Sequence, residues 1–330
     1  MRFALMTEPQ QGLGYDDLLA IVRTAEEAGL EAFFRSDHYT SFPGEEGLPT
    51  TDAWATLAGL ARDTSRIHLG SLVSPVTFRL PGVFAKVVTT VDEMSGGRVE
   101  VGLGAGWNEL EHAELGIPFP DVGERFDMLE ESLAIVHGLW TEPDGWTFDG
   151  DHWQVAGSRF VPRPVPRDGR RHPNLIVGGA GKPRSVRLAA RYADEYNVVS
   201  ARPEHARAVF DRIDEACAAI GRDPSQVTRS AMTGVLVAES ETDLRDRVRA
   251  QQEMLGTADD DADRWLDERR GRWIMGTREQ ALERVDALAD AGVQRIMLQD
   301  FLPRDLDMVR LMARFFGLSG SDRGVAPAST

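Results

Sequence analysis

Four apolar, strand-like runs each break off into a short polar or glycine-rich tip. Ala32–Ser36 ends in Asp37 and His38, and Ile67–Gly70 ends in Ser71-Leu72-Val73-Ser74-Pro75. Val99–Leu103 ends in Gly104-Ala105-Gly106-Trp107, and Leu175–Val177 ends in Gly178-Gly179-Ala180-Gly181. Helix-like segments separate the runs, so the strands are expected to be parallel, with every tip on the same carboxyl edge of one sheet. That edge is where parallel α/β folds gather ligands and catalytic groups.

The same rhythm extends along the chain. Phe3–Met6 reads as a first strand, and Asp16–Ala28 as an amphipathic helix that stops at Gly29. Helices are expected from Thr51 or Asp52 to Arg62, from Pro81 to Met94 and from Asp121 to Trp140. The pattern breaks over Thr141–Pro173, which is rich in proline and carries Asp149-Gly150 between aromatic residues, a hairpin signal. This insertion is expected to cover the site. The βα rhythm then resumes to a final helix at Asp305–Phe316, interrupted by a charged, mobile insertion at Thr257–Arg272. Glu27–Asp37 and Asp290–Asp300 echo one another: a helix ends at Ala-Gly and an apolar strand ends in Asp. Eight strands with intervening helices predict a (β/α)8 TIM barrel with an insertion after the fourth helix. It would form a single domain over 1–318, followed by a disordered tail at 319–330.

Bulk properties narrow the function. The net charge of −16 argues against nucleic acid or an anionic membrane surface as partner. Met1-Arg2 leads straight into a strand, and no apolar run approaches ~18 residues, so a cytoplasmic location is expected. Cys217, the single cysteine, falls at helical spacing with Ile213 and Ile220 and reads as a buried thiol. The histidines show no H-E-x-x-H spacing and no cysteine pair, so no metal site is expected. The expected partner is a small-molecule substrate, with a homodimer as the one protein assembly considered.

Each tip has two readings. Gly102–Trp107 fails as a dinucleotide fingerprint, because Trp107 stands where the third glycine belongs. It is either a tightly packed strand end or a bed for a planar ring. Gly178–Arg184 fails as a P-loop, with Ile176 and Pro183 at positions that need Gly and Ser/Thr. It is a plain βα turn or, with Pro183 opening a helix beside Lys182 and Arg184, a seat for phosphate. Asp37-His38 is a structural strand end or an acid–base pair.

In this order and spacing the pieces resemble the bacterial luciferase-like monooxygenase superfamily, and within it the coenzyme F420-dependent oxidoreductases. The matching pieces are Ser36-Asp37-His38, Gly70–Arg79, Val91–Arg98, Gly102–Trp107, Glu124-Arg125-Phe126, Pro173–Gly181 and Ala193–Asn197. The resemblance spans Arg2 to about Phe316. It implies a flavin or deazaflavin lying across the carboxyl rim of a (β/α)8 barrel. Asp37 and His38 would face its reactive edge, and Ser71-Leu72 would form a bulge behind it through a cis peptide. Ala105, Gly106 and Trp107 would touch the ring, while Gly178, Gly179, Ala180 and Gly181 would hold the phosphate with help from Arg125. One departure is Trp107, where similar sugar-phosphate dehydrogenases carry glutamate.

The leading expectation is therefore an F420-dependent oxidoreductase that passes hydride between the deazaflavin and a small organic substrate. His38 would move the proton, oriented by Asp37 or a backbone group. The alternatives are an FMN-dependent two-component monooxygenase and a non-catalytic flavin-binding barrel. The acidic tail of F420 would be met by Lys182, Arg184, Arg62 and Arg66. The substrate pocket would come from Phe42–Pro49, Thr141–Pro173 and Thr257–Arg272.

Overall fold

The computed structural model describes residues 1–318 apart from 168, 200, 201 and 259. Its barrel strands are β1 (Arg2–Thr7), β2 (Ala32–Arg35), β3 (His68–Pro75), β4 (Val99–Gly104), β7 (Asn174–Gly179), β8 (Glu195–Val199), β9 (Thr228–Val237) and β11 (Arg295–Asp300). They pair in parallel in that order, and β11 returns to β1 in the register Arg2↔Arg295 to Thr7↔Asp300, which closes the barrel. The expected (β/α)8 architecture is present. A short strand, β10 (Ile274–Gly276), pairs with the far end of β9, past the point where β8 stops. A hairpin of β5 (Trp146–Asp149) and β6 (Gln154–Ser158) stands apart from the barrel.

The outer layer comprises α1 (Tyr15–Glu27), α2 (Ala53–Asp63), α3 (Pro81–Ser95), α4 (Glu109–Leu115), α5 (Val122–Thr141), α6 (Pro183–Tyr192), α7 (Pro203–Ala219), α8 (Glu241–Met254), α9 (Ala262–Arg270), α10 (Arg278–Asp290) and α11 (Leu306–Phe315). Their ends follow local chemistry. The Asp52 carboxylate accepts the Ala55 N–H at the start of α2, and Asp121 accepts the Glu124 N–H at the start of α5. Proline opens α3, and Gly96 ends it at φ 70°. Among the described residues no helix is long and apolar enough to cross a membrane.

Alternation along each strand sorts the core into two compartments. Phe3 and Leu5 on β1 join the large cluster between barrel and helices. Ala4 and Met6 point inward to a small cluster with Ala32, Phe34, Leu72, Ile176 and Met297. Below it, at the amino ends of the strands, the interior is filled by charge. Arg295 donates to Glu100 at 2.6 and 2.9 Å and to Glu195 at 3.0 Å, and Asn174 Nδ2 donates to both glutamates. His68 Nδ1 lies 3.1 Å from Glu100. Burial opposes the Glu100 charge, but Arg295 and His68 hold its carboxyl well below the usual range.

Two expectations change. The cis peptide joins Leu72 to Val73, one bond later than the expected Ser71–Leu72. The 141–173 insertion does not cover the carboxyl rim. Trp146 packs over Gly138 of α5, and Glu131 of α5 accepts the N–H groups of Asp151, His152 and Trp153. Beyond the hairpin, Arg167 pairs with Asp92 and donates to Val99 O at the start of β4, which anchors the segment at the opposite end of the barrel. Within the charged insertion, α9 buries Trp265 and Leu266 beneath its charged face. The tail at 319–330 lies outside the described residues.

Replacing Arg295 with Met would leave Glu100 and Glu195 buried without their cation. We expect a stability loss of about 3–5 kcal/mol in urea unfolding, the usual result of removing one partner from a buried ion pair. A loss no larger than that of an exposed pair, about 0–1 kcal/mol, would refute this role.

Candidate functional site

The carboxyl ends of the strands enclose a cavity of about 540 Å³. His38 follows β2 and lines it. Its Nδ1 lies 2.9 and 3.2 Å from the two carboxylate oxygens of Glu111, which also accepts the Tyr39 N–H at 2.9 Å. A neutral imidazole donating Nδ1–H to a buried carboxylate is held in the tautomer whose Nε2 is free to accept a proton. Glu111 comes from α4, the short helix after β4, and is buried. Sequence reasoning missed it: one of three glutamates in Glu109–Glu114 carries no motif, and only packing brings it to His38.

His38 was expected to be oriented by Asp37 or a backbone group; its Nδ1 partner is the Glu111 carboxylate, and Asp37 makes no hydrogen bond to it. Asp37 is buried beneath the rim, where it accepts from Arg79 at 2.6 Å and from the Ser74 hydroxyl at 2.6 Å. Arg79 also donates to Asp52 and, at 2.9 Å, to the Tyr39 hydroxyl. Burial opposes the Asp52 charge, yet Arg79, the Tyr39 hydroxyl and the Ala55 N–H hold its carboxyl below the usual range. This network fixes the Asp37–Tyr39 backbone from below and thereby sets where His38 stands.

The floor of the cavity is backbone. Gly104, Ala105 and Gly106 contribute from the tip of β4, and Gly178 and Gly179 from the tip of β7. Leu72 and Val73 lie behind them, where the β3–β4 register shifts between Ser71 and Ser74. Glycine is required here for space: a Cβ on Gly102 or Gly104 would come within 2.7 or 2.6 Å of the Val73 side chain. Trp107 stands at the mouth, 65% exposed, edge-on to His38 and to Phe42. A polar wall closes the other side. Gln299 and Gln10 donate to the two Glu8 oxygens at 2.6 and 2.9 Å, and the Ser36 hydroxyl donates to Gln10 Oε1 at 2.6 Å.

The remaining expected residues are not on the lining of this cavity. Ser71 is buried behind the floor, linked to Ser74 at 3.0 Å. Ala180 is exposed beside the glycine turn, and Gly181 turns inward, its N–H donating to the Tyr196 hydroxyl at 3.0 Å. Val186 N–H closes the first turn of α6 onto Lys182 O, so the N–H groups of Arg184 and Ser185 precede the helical ladder. The Arg125 guanidinium lies 3.8 Å over the Phe119 ring and donates to Pro120 O. Arg184 is paired with Asp127, whereas Lys182 is exposed at the turn. Arg62 donates to Met94 O at the end of α3, and Arg66 to Glu26 O at the end of α1. Both lie at the amino edge of the barrel, so neither can serve an anion at the rim.

A match to the family model described as luciferase-like monooxygenase covers residues 1–297. The chain belongs to the luciferase-like monooxygenase family. Its relatives and structural neighbours include F420-dependent dehydrogenases and monooxygenases. It is 32% identical over 234 residues to an F420-dependent glucose-6-phosphate dehydrogenase of Microbacterium testaceum, a match covering 69% of this chain. That match spans 66% of the relative, just under two thirds of its length. An F420-dependent secondary alcohol dehydrogenase, solved with an F420-acetone adduct, superimposes with a TM-score of 0.80 at 20% identity, covering 95% of this chain and 97% of its own. A monooxygenase of Streptomyces bottropensis does so with a TM-score of 0.79 at 21% identity, covering 96% and 97%. At such identities the two structures speak for the fold only.

Asp300, at the carboxyl end of β11, is a titrating group near the rim. Burial pushes its carboxyl up from 3.8 to about 7; the Leu302 N–H and Arg247 oppose this, and Asp305 adds to it. A raised folded-state value favours the protonated form. The contribution to stability is therefore intact below pH 3.8 and is lost progressively up to about pH 7. Asp300→Asn removes that loss, so its stability relative to the parent should rise across this interval, by about 1.4 kcal/mol for every tenfold fall in proton concentration. Parallel stability–pH curves for the two proteins would contradict it.

Proposed function

We propose that this chain is an F420-dependent oxidoreductase moving a hydride between the deazaflavin and a small organic substrate. The observation that carries the reading is the His38–Glu111 pair sharing a 540 Å³ cavity with the glycine-rich tips of β4 and β7. That volume lies in the usual range for ligand sites, roughly 300–1,000 Å³. The donor set suits the cofactor. Gly104, Gly106, Gly178 and Gly179 leave room for a planar ring, and Asn197 lines the same cavity with a buried Oδ1 that has no hydrogen-bond partner, suited to accept an imide N–H. The turn into α6 offers backbone N–H groups to a phosphate, with Lys182 beside it. The F420-dependent relative at 32% identity supports the choice of deazaflavin over FMN.

When bound, the deazaflavin would supply a carbon that gives or takes hydride and does not readily activate oxygen. The protein's own work is proton transfer and orientation. Nε2 of His38 takes the hydroxyl proton of a substrate being oxidised, or returns it to a carbonyl being reduced. Glu111 holds the ring through Nδ1 and stabilises the imidazolium that forms. Leu72 and Val73 support the floor from behind.

Titration of the purified protein with F420 and, separately, with FMN tests the cofactor. We expect tighter F420 binding and no oxygen uptake during turnover. FMN binding with oxygen-dependent turnover, and none of F420, would replace this reading with the monooxygenase. His38→Ala should keep F420 affinity within a few-fold while turnover falls about 10²-fold or more. Glu111→Gln should give a smaller loss and shift the pH profile of kcat/KM toward the acidic side, because the imidazolium loses its counter-charge. An unshifted profile would reduce Glu111 to a packing residue.

A further inference from the structure

We infer that the substrate is an uncharged alcohol or carbonyl compound with a bulky apolar body, and not a phosphorylated or otherwise anionic one. The assignment depends on the oxidoreductase reading above and adds the substrate class. Charge is the first argument. Among the described residues lining the cavity there is no Lys and no Arg; the ionisable groups are Glu8, Glu111 and His38. Both carboxylates already accept two hydrogen bonds or more, and both present negative charge to whatever enters. An anionic group drawn into this space would lose its hydration, meet no cation and face two like charges. Arg202, after β8, and Arg272, before β10, are outside the lining.

The surface around His38 is the second argument. Its ring meets Phe42 at 4.6 Å and Trp107 at 5.6 Å between centroids, and Phe42 meets Trp107 at 5.3 Å, all three near right angles. Edge-to-face packing leaves open ring faces, and the Trp107 indole remains 65% exposed. Phe301 extends the apolar lining and is held in place by stacking on Trp273 at 5.3 Å. A substrate carbon near Nε2 is thus surrounded by aromatic surface, and its hydroxyl or carbonyl oxygen has His38 as its polar partner. In the oxidative direction Nε2 takes the hydroxyl proton of the alcohol, the carbinol hydride would go to the deazaflavin when it is bound, and the carbonyl is left. The relative named for glucose 6-phosphate would need a cation at the sugar phosphate, which this lining lacks.

Calorimetric titrations of the full chain, with and without F420, compare cyclohexanone, acetophenone and camphor with glucose 6-phosphate. F420 affinity is read separately, so a failure of the cofactor reading is distinguishable from a failure of the substrate class. We expect at least one neutral ketone to bind ten-fold or more tightly than glucose 6-phosphate. With F420 bound, kcat/KM for that ketone or its alcohol should exceed that for glucose 6-phosphate by at least 10²-fold. Phe42→Ala should weaken the ketone about ten-fold, and circular dichroism should confirm that the variant is folded. Tighter binding or faster turnover of glucose 6-phosphate, or no binding of any neutral ketone, would overturn the inference.

Discussion

A closed barrel of eight parallel strands has an interior that its own side chains must fill, and this chain fills it in three different ways. At the amino ends it uses charge, with Arg295 bound to Glu100 and Glu195. In the middle it uses the small apolar cluster around Met6, Phe34 and Ile176. At the carboxyl ends it withholds side chains, because glycines occupy the tips of β4 and β7, and a cavity remains. The order matters physically. Parallel pairing sends every strand tip to one rim, so an interior left unfilled there becomes a site, whereas the amino end must be plugged.

The chemistry proposed for that site depends on one long-range contact. His38 and Glu111 come from different βα units, and their hydrogen bond ties the tip of β2 to the short helix after β4. The Arg79 network under Asp37 and Tyr39 fixes the same backbone from the other side. His38 is thus held by a carboxylate through its ring and by an ion-pair network through its neighbours. A proton-transfer group needs such placement, since general acid–base catalysis is sensitive to geometry before it is sensitive to pKa.

What could be read from the residues, and what could not, follows from the range of the forces involved. The glycine tips were legible because tight backbone approach leaves a local signature: only glycine tolerates Val73 against Gly102 and Gly104. The barrel was legible because its βα rhythm repeats. Glu100, Glu195 and Arg295 were hidden, since a lone charge inside an apolar run gives no sign of whether it points to water or to a partner across the barrel. Glu111 was hidden for the same reason, 73 residues from the histidine it serves. The path of 141–173 was lost because a hairpin motif fixes its own turn but not the surface it packs on. Trp146 over Gly138 and Arg167 on Asp92 decide that, and they place it at the far end of the barrel.

The cavity is also asymmetric, and the asymmetry divides its work. On the side of β1 and β11, Glu8, Gln10, Gln299 and Ser36 form a chain of hydrogen bonds with most of its acceptors already satisfied. Opposite, Asn197 Oδ1 is buried without a partner, which is costly unless a donor arrives. A ligand with an imide N–H would satisfy that atom, and a planar one would cover the glycine floor. Trp107 and Phe42 remain as the apolar mouth above it. The polar demand of the site therefore lies deep and its apolar demand near the surface. A polar heterocycle seated first would cover the floor, and a neutral organic molecule entering after it would meet ring faces and a single imidazole.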